Sequence, residues 1–367
     1  MTLYVSSYRA QLGRRLLALV IALCTAIPVQ AADYRLDTVV EQVEFPWSVD
    51  FLPDGRALLA LLGGSLHVLE ADGTLSEPIK AVPEVYFAGQ GGLFDVLVDP
   101  NFGANGNIYL SYAAGDSEAN GTTIAKAVLQ GNSLINVEAI YSAAPQKYAP
   151  LHYGGRMAFL PDGTLLLTTG DGFDFREQAQ NKATHFGKTI RINTDGSAAD
   201  GNPFPTAPLV YSYGHRNPQG LAVSSSGTIY QHEHGPAGGD EINIIEAGNN
   251  YGWPAITYGM DYNGAYVSPF TKHPGMVQPA HVWTPSIAPS GLMVYEGNQF
   301  PAWQGHLFVG ALVDGEVRRV DLQSGEEQAE FNEVTARVRD VREAPDGSIY
   351  ILTDGPTGAV LRASSPL

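Results

Sequence analysis

The chain has 367 residues, and its 21 basic and 38 acidic side chains give a formal net charge of −17. This charge disfavours nucleic acid and anionic lipid as partners, because an acidic surface repels both. The 41 glycines and 24 prolines, with few long stretches of helical periodicity, favour many short strands joined by turns.

Residues 1–31 have the features of a secretory signal peptide. Arg9, Arg14 and Arg15 form a basic segment near the start of the chain. An apolar run spans 16–27, and VQA at 29–31 places small residues where signal peptidase cleaves. An apolar run of this length is too short to span a bilayer. We therefore predict a periplasmic or secreted protein, with no membrane insertion of the mature chain.

Two other export routes stay open. The pair Arg14-Arg15 is compatible with twin-arginine export and Cys24 with a lipid anchor, although Leu23 is bulkier than lipoprotein processing accepts. Cleavage after Ala31 leaves 336 residues without cysteine and a formal net charge of −20, because three basic residues and no acidic ones are lost. A secreted domain without disulfides needs a large core.

An apolar strand, a turn of the Pro-Asp-Gly type and a second strand recur six times along the mature chain. The turn glycines are separated by 51, 57, 64, 78 and 42 residues, the size of a propeller blade with loop insertions. They are Gly55, Gly106, Gly163, Gly227, Gly305 and Gly347. Six four-stranded antiparallel sheets packed radially bury faces that one sheet cannot bury alone. The sequence therefore predicts an all-β fold, a single six-bladed β-propeller over residues 32–367. A jelly roll or sandwich is the alternative, and it does not explain six copies of one turn.

Polar residues precede the first strand of several repeats at similar distances from the turn glycine. His152 and Arg216 lie at the same distance before the turn glycines of their repeats. Arg337 and Arg339 lie slightly closer to theirs, and Gln90 lies farther from the glycine of a longer turn. If that strand is innermost in each blade, these side chains converge on one mouth of the central channel. Three arginines there, in an acidic protein, favour an anionic ligand.

Each arginine could instead pair with a carboxylate of its own. For Arg339 the sequence offers the neighbouring Asp340, and Asp314 in the preceding repeat. Arg156, in the segment HYGGR, could touch a ligand, but a buried salt bridge between blades is the interpretation that we favour.

Three histidines have structural interpretations. His215 alternates with Arg216 at the entry to a strand, so its side chain is predicted to point the opposite way and to be structural. His232 and His234 share one face of a strand and could suggest zinc, but no third histidine or cysteine ligand is close in sequence.

Several other polar and aromatic residues have open roles. Asp240 is predicted to be an exposed turn residue, whereas Asp171 and Asp174 either line the substrate mouth or solvate a loop. Trp253 and Tyr251 are predicted to be core aromatics, with Tyr251 acting on a ligand through its carbonyl if at all.

Six strings together resemble the soluble quinoprotein aldose sugar dehydrogenases, the family of soluble glucose dehydrogenase. In order they are GQGGLFDV (89–96), HYGGR (152–156), YGHRNPQGLA (213–222), EHGPAGGDEIN (233–243), NNYGWP (249–254) and RVRDVREAPDG (337–347). The resemblance covers the chain from about residue 39 to the C-terminus. It implies a six-bladed propeller that holds pyrroloquinoline quinone (PQQ) and calcium over the channel mouth. It also implies oxidation of an aldose sugar at C1 to an aldonolactone, with electrons passed on to an acceptor that the sequence does not identify.

The resemblance also implies roles for individual residues. His152 matches the catalytic base, and Arg216 matches the arginine that polarises the quinone. The cofactor-binding residues match Gln90, Arg216, Asn217, Tyr262, Arg337 and Arg339. The backbone carbonyls of Gly235 and Pro236 match ligands of the cofactor calcium, and Glu241 and Tyr251 match a second calcium site. One position departs from the family, because Val313 stands where the glucose dehydrogenase pattern has a lysine, which removes one cation for the cofactor carboxylates.

Two other function classes stay open. A non-enzymatic secreted binding propeller would not need a histidine together with three arginines at the channel mouth. A calcium-dependent propeller lactonase would need metal-binding carboxylates at the mouth, where this chain places arginines.

Overall fold

The structure is a computed structural model that describes residues 33–313 and 315–366. The predicted signal peptide and Asp314 lie outside the described residues. Within the described part of the chain, no helix is long and apolar enough to cross a membrane.

The described residues form antiparallel sheets with very little helix. The strands, grouped by sheet, are β1 (Arg35–Val43), which joins the last sheet; β2 (Pro46–Phe51), β3 (Ala57–Leu61) and β4 (Ser65–Leu69); β5 (Leu93–Val98), β6 (Asn107–Gly115), β7 (Asn120–Gln130) and β8 (Ser133–Ser142); β9 (Gly154–Phe159), β10 (Leu165–Thr169), β11 (Lys188–Ile192) and β12 (Val210–Tyr213); β13 (Pro218–Val223), β14 (Ile229–Glu233), β15 (Asp240–Ile245) and β16 (His281–Trp283); β17 (Pro289–Val294), β18 (Leu307–Ala311), β19 (Val317–Asp321) and β20 (Glu326–Glu330); and β21 (Val338–Glu343), β22 (Ile349–Thr353) and β23 (Gly358–Ser364). Helix α1 (Phe102–Asn105) and two short 3-10 helices (Arg176–Gln180 and Pro301–Trp303) lie in the connections.

The first strands of the six sheets, β2, β5, β9, β13, β17 and β21, contact one another in a closed ring. They are therefore the innermost strands, and the predicted six-bladed β-propeller is confirmed. Five sheets have four strands. The sheet β2–β4 is completed by an irregular fourth segment, in which Leu75 bridges Leu69 and the Ile79 amide donates to the carbonyl of Leu66.

The ring is closed by the two ends of the described chain. Strand β1 pairs with β23 from Arg35 opposite Ser364 to Val43 opposite Gly358, so the last blade contains both the first and the final strand. Apolar side chains fill the spaces between blades. Leu59 of β3, for example, packs in one cluster with Leu352 of β22, across the junction that closes the ring.

The six turn glycines have the same backbone conformation. Their φ angles lie between 66° and 90°. In this left-handed region an L side chain is strained, whereas glycine is not. At Gly163, for example, the amide donates to the Leu160 carbonyl at 2.9 Å and closes the tight turn at the end of the innermost strand. Gly55, Gly227 and Gly347 close the same turn, whereas the Gly106 amide caps α1 by donating to Phe102 and the Gly305 amide donates to Tyr295. The repeat that is visible in the sequence is thus this turn in four blades and a glycine of left-handed conformation in all six.

A buried ionic network lies along the propeller axis, below the channel mouth. Arg156 lies 3.0 Å from Asp340 and 3.6 Å from Asp95, and Arg342 lies 3.0 Å from Asp95 and 3.2 Å from Asp340. The Arg156 guanidinium also stacks over the ring of Trp47 at 4.0 Å. The prediction that Arg156 forms a buried salt bridge between blades is confirmed.

We expect Arg156→Ala to lower the free energy of unfolding by about 3 kcal/mol or more, because it leaves buried carboxylates with one guanidinium fewer. Denaturant unfolding followed by tryptophan fluorescence measures this loss. Arg56→Ala is the control, since Arg56 and Asp54 form a solvent-exposed pair at 2.7 Å. That variant should change stability by about 1 kcal/mol at most. Equal losses in the two variants would contradict the role given to the axial network.

Candidate active site

The predicted site residues lie at one end of the innermost strands. Gln90 precedes β5 by three residues, His152 precedes β9 by two, and Arg216 precedes β13 by two. Arg337 immediately precedes β21, and Arg339 is the second residue of that strand. The innermost strands of successive blades all run in the same direction along the channel. The five residues at their starts therefore lie at the same mouth.

The larger of two cavities at this mouth has a volume of about 380 Å³. Of the predicted residues, Gln90, Asn217, Arg337 and Arg339 line it. Its walls include the aromatic rings of Trp47, Phe94 and Tyr153 together with Leu62 and Leu312. A cavity of this size is in the usual range for small-molecule sites.

A second cavity of about 290 Å³ lies beside the first. The predicted residues that line it are His152, Arg216, Pro236 and Tyr262, and its other lining residues include Asp171, Phe173, Asp174, Arg176, Trp253 and Asp261. The two cavities share a wall, since the His152 amide donates to Gln90 Oε1 at 2.8 Å and Arg216 and Asn217 are neighbours in the chain. The predicted site residues thus surround one continuous region of the mouth.

His152 is held by a carboxylate behind it. Its Nδ1 lies 2.7 Å from Asp171 Oδ1, and the other oxygen of Asp171 accepts a hydrogen bond from Trp253 Nε1 at 2.7 Å. Because a carboxylate only accepts, Nδ1 carries the proton and Nε2 keeps its lone pair. Burial lowers the pKa of His152, and Asp171 partly offsets that effect. The imidazole is therefore neutral near pH 7 and can take up a proton at Nε2.

Arg216 keeps its positive charge available. Its guanidinium donates to the carbonyls of His234 at 3.2 Å and Gly235 at 2.8 Å, and to the hydroxyl of Tyr262 at 3.2 Å. It also lies 5.3 Å from the ring of Trp253. These partners of the guanidinium are neutral, and the carboxyl group of Glu233 approaches Arg216 from the other side, where it accepts from the backbone amide.

Arg337 and Arg339 share one carboxylate. Both reach Asp354, at 3.1 Å and 3.4 Å. The alternative that Arg339 pairs with Asp340 is wrong, because Asp340 binds the axial arginines instead. In the part of the chain that the structure describes, the Nε of Arg339 is buried without a hydrogen-bond partner. One carboxylate for two guanidinium groups leaves positive charge and an unused donor at the wall of the larger cavity.

The turn that contains Gly235 and Pro236 is fixed by Asp240. This carboxylate is fully buried and accepts from the Gly235 amide at 2.8 Å, the Ser286 hydroxyl at 2.6 Å and the Ile287 amide at 2.9 Å. The prediction that Asp240 is an exposed turn residue was wrong. The turn doubles back onto β15, so the carboxylate ties it to the entry of the next blade.

Two carboxylates lie close together behind this turn. Glu233 and Glu241 line one small cavity with Tyr251. Asn243 Nδ2 donates to Glu241 Oε1 at 2.9 Å. Burial raises the pKa of both carboxyls, and the proximity of Glu233 raises that of Glu241 further. The residues that the structure describes contain no group of three His, Cys, Asp or Glu side chains placed to hold a metal, so a cation here would also need backbone oxygens.

His215, His232 and His234 have structural partners. His215 is buried between Glu233, at 3.1 Å from its Nδ1, and the Ser212 hydroxyl, at 2.8 Å from its Nε2. His232 and His234 each point a ring nitrogen at a backbone carbonyl, at 3.2 Å and 2.7 Å. These contacts agree with the structural interpretation of His215 and disfavour a zinc site.

With this geometry established, comparison with known proteins shows the family. Residues 43–362 match the family model described as Glucose / Sorbosone dehydrogenase. The chain belongs to this family of oxidoreductases. The predicted family and enzyme class are therefore confirmed.

Two curated relatives match nearly the whole chain. One is an uncharacterized protein of Synechocystis, 41% identical, with 89% of this chain and 85% of the relative covered. The other is the aldose sugar dehydrogenase YliI of Escherichia coli, 36% identical, with 94% and 96% covered.

Solved structures of sugar dehydrogenases are also similar to this chain. A crystal structure of a glucose dehydrogenase is 38% identical, has a TM-score of 0.86, and the match covers 89% of this chain and 99% of that one. The PQQ-bound aldose sugar dehydrogenase of Streptomyces coelicolor is 27% identical, with a TM-score of 0.76 and coverage of 91% and 98%.

We expect Asp171→Asn to lower the pKa of His152 further, since the negative charge that favours the imidazolium is lost while the ring stays buried. NMR titration of the imidazole measures this, with the His152 resonance assigned by its absence from a His152→Ala sample. Asp174→Asn is the matched control, because Asp174 is an exposed carboxylate in the same loop and should change this pKa less. A raised or unchanged pKa in Asp171→Asn would contradict the pairing.

Proposed function

We propose that the protein is a PQQ- and calcium-dependent dehydrogenase that oxidises aldose sugars at C1 to aldonolactones. The observation that carries the proposal is the surplus of positive charge around the larger cavity, next to a neutral, oriented His152. The names of the family relatives, aldose sugar dehydrogenase and PQQ-bound aldose sugar dehydrogenase, support the same substrate class and cofactor.

The residues of the larger cavity fit PQQ, which is a planar molecule with three carboxylates. Planar rings of Trp47, Phe94 and Tyr153 line the walls, and Arg337 and Arg339 share only one acid. The buried Nε of Arg339 supplies an unused donor. Arginine suits carboxylates because its planar fork donates two parallel hydrogen bonds. Gln90, Asn217 and Tyr262 would supply the remaining polar contacts.

PQQ, when bound, supplies an electrophilic quinone carbonyl that accepts a hydride. His152 would act as the general base, with Nε2 removing the proton of the C1 hydroxyl as the hydride leaves. Asp171 holds the imidazole in the required tautomer and stabilises the imidazolium that forms. The Arg216 guanidinium is the group placed to stabilise negative charge that develops on the cofactor side of the reaction.

The smaller cavity is the proposed sugar site. It offers ring faces from Phe173 and Trp253 and carboxylates from Asp174 and Asp261, a combination that suits a ring with one apolar face and several hydroxyls. Arg176 lies 3.2 Å from Asp261 and connects two inserted loops across this cavity. The loops would therefore close around the part of the sugar that is remote from C1.

Calcium would bind through oxygen ligands. The carbonyls of Gly235 and Pro236 would hold the ion beside the cofactor, where the Gly235 carbonyl already accepts from Arg216. A second ion would bind at Glu241 and the Tyr251 carbonyl, and the buried Glu233 beside Glu241 supplies further negative charge there.

We also propose that residues 1–31 direct export and are cleaved, so that residues 32–367 act as a single catalytic domain in the periplasm or outside the cell. The non-enzymatic propeller is disfavoured because His152 is oriented by Asp171 next to an arginine-lined cavity. The lactonase is disfavoured because the carboxylates along the axis are bound by Arg156 and Arg342.

Purified protein reconstituted with PQQ and calcium should reduce a redox dye when an aldose is added. His152→Ala should lower kcat by about 10³-fold, because general-base catalysis and orientation are both lost, while PQQ stays bound. His67→Ala is the control, because His67 bonds to Ser65 and Ser76 within the first blade, away from the mouth. Failure of the wild-type protein to retain PQQ or to reduce the dye would contradict the proposed function.

Calcium should stabilise the protein more at pH 8 than at pH 5. Because the pKa values of the Glu233 and Glu241 carboxyls are raised, the folded protein keeps protons on them that the unfolded chain releases. The free energy of unfolding of the metal-free protein therefore falls as the pH rises above about 4.5. A bound cation replaces those protons, and at a hundredfold excess over Kd it adds about 2.7 kcal/mol.

Thermal unfolding with and without calcium tests this linkage in the apo-protein. Glu241→Gln should lose most of the gain at pH 8, whereas Glu138→Gln, at an exposed position of β8, should keep it. A calcium effect that is absent, or equal at both pH values, would contradict the proposed second site.

Val313 offers a test of the cofactor charge balance. It is exposed beside Leu312, whose carbonyl accepts from Arg337 at 3.1 Å. Val313→Lys should tighten PQQ binding by roughly tenfold, because it adds one cation near the cofactor carboxylates. Equilibrium dialysis of PQQ measures the Kd, with Val137→Lys on β8 as the matched control at an exposed valine. An unchanged Kd, or an equal gain in the control, would show that position 313 does not reach the cofactor.

A further inference from the structure

Lys147 carries a buried ammonium group close to the proposed catalytic base. The residue is only 5% exposed to solvent. Its ammonium donates to Asn120 Oδ1 at 3.1 Å and to the Ala149 carbonyl, and it lies 3.5 Å from the centre of the Tyr153 ring. Among the described residues, no carboxylate forms an ion pair with Lys147. A buried charge that has only neutral partners is unfavourable, and such groups are concentrated at functional sites.

The position of Lys147 is fixed by backbone pairing. Its amide donates to the Asn120 carbonyl at 2.9 Å, and the Asn120 amide donates to the Lys147 carbonyl at 2.7 Å. Asn120 is the first residue of β7 and is itself fully buried. A side chain at Gly172 would place its Cβ 2.8 Å from Lys147 Cδ, so the lysine packs directly against the residue that follows Asp171. Lys147 is thus held beside the pair formed by Asp171 and His152.

His152 is equally constrained. Its backbone is left-handed, with a φ of 50°, a conformation that is uncommon for residues other than glycine. The His152 amide donates to Gln90 Oε1 at 2.8 Å. The hydroxyl of the next residue, Tyr153, donates at 2.6 Å to the same Asn120 oxygen that receives the Lys147 ammonium. Because both groups are fixed in place, movement of the imidazole does not readily relieve repulsion between them.

Several charged and titratable groups surround His152. Those that line the smaller cavity with it are Asp171, Asp174, Arg176, Arg216, Asp261 and Tyr262. Burial lowers the pKa of His152 most, the charge and the hydrogen bond of Asp171 raise it, and the charges of Arg216 and Lys147 lower it. Burial also lowers the pKa of the nearby His234 to about 3, so that ring is neutral in the range considered. One carboxylate therefore favours the His152 imidazolium, and two cations oppose it.

Lys147 is charged in the pH range in which an imidazole takes up a proton. Burial lowers the pKa of its ammonium to about 7, and the charge of Asp171 partly offsets this effect. Below that pH the lysine is positive, so a proton added to His152 creates a second positive charge in the same buried region. Above that pH the lysine is largely neutral and the repulsion is lost. The lysine thus protects the base in acid, where protonation of the imidazole would otherwise remove it.

We propose that Lys147 is a positioning residue of the active site, whose fixed, buried charge keeps the His152 imidazole free to accept the proton of the C1 hydroxyl. The inference rests on the proposed function, in which His152 is the general base. Lys147 acts through His152 and lines neither of the two cavities at the mouth. Its effect is to extend sugar oxidation further into the acid range.

The test compares three variants of Lys147 with one matched control. Lys147→Gln and Lys147→Met both remove the charge, and the glutamine keeps a hydrogen-bond donor, so the test does not depend on the folding of one variant. Lys147→Arg restores a cation at the same place. Lys188→Gln is the control, because Lys188 is also fully buried and its ammonium is held by three backbone carbonyls of the loop that follows Asp171.

NMR titration of the imidazole in the metal- and cofactor-free protein gives the first result. Lys147→Gln and Lys147→Met should raise the pKa of His152, with a proton affinity about threefold higher or more, because an opposing charge is lost. Lys147→Arg should return the pKa to the wild-type value, and Lys188→Gln should change it less. The direction is opposite to that expected for Asp171→Asn, so general loosening of the site does not explain both results.

The pH profile of the PQQ- and calcium-reconstituted enzyme gives the second result. Loss of the Lys147 charge should move the acid limb of kcat/KM for the sugar to higher pH. At pH values below the midpoint of that limb, kcat/KM should fall about threefold relative to the wild type. At pH 8 it should stay near the wild-type value, because Lys147 is largely neutral there in the wild type. A lysine that is needed only for packing would lower kcat/KM by the same factor at both pH values.

Several results would overturn the inference. One is an unchanged or lowered pKa of His152 when the Lys147 charge is removed, and another is an equal shift in Lys188→Gln. A third is a folded Lys147→Arg variant that does not restore the wild-type pKa. Loss of the fold in both neutral variants, or an equal fall in kcat/KM at all pH values, would assign Lys147 to packing alone. A wild type that does not reduce the dye would contradict the proposed function, whereas the NMR titration would still decide whether the lysine charge acts on His152.

Discussion

Repulsion between like charges at the channel mouth is the constraint on which the rest of this structure depends. Arg216, Arg337 and Arg339 come from two blades of the propeller and are brought to one region by the ring of innermost strands. Only Asp354 offsets the last two, and Arg216 is surrounded by carbonyls, a hydroxyl and ring faces. In an unfolded chain these like charges lie far apart in water and repel one another little, so the fold must supply the energy that brings them together. The rigid ring, closed by pairing of β1 with β23, provides that support.

The axial network shows what a purely structural use of arginine looks like in the same fold. Arg156 and Arg342 are each within reach of Asp95 and Asp340, and Arg156 also stacks on Trp47. Each of these two guanidinium charges thus lies beside two carboxylates. The wall of the larger cavity at the mouth differs, because the guanidinium groups of Arg337 and Arg339 share a single carboxylate, that of Asp354. Within one protein, arginines that are each matched by carboxylates thus connect blades, while two arginines that share one carboxylate line a cavity that a polyanion can fill.

The sequence predicted what depends on local backbone geometry. The turn glycines require a left-handed conformation, so they repeat in every blade and disclose both the fold and the positions at the start of the innermost strands. Partners chosen by tertiary packing could not be predicted. Asp354 follows β22 and reaches both arginines across a strand pair, and Asp240 is buried by a turn that folds back on it. Asp171 carried a weak signal, in a Gly-Asp-Gly segment directly after β10, but nothing in the sequence indicated that it holds His152. Phe173, which lines the smaller cavity, lies in an inserted loop with no repeat to align it.

A crystal structure of the protein soaked with PQQ and calcium tests the central claim most directly. The account predicts a single PQQ molecule in the larger cavity, with its carboxylates on Arg337, Arg339 and Gln90 and its quinone edge toward Arg216 and His152. PQQ bound elsewhere, or a cavity in which Asp354 and the arginines stay as they are and no PQQ enters at saturating concentration, would contradict it.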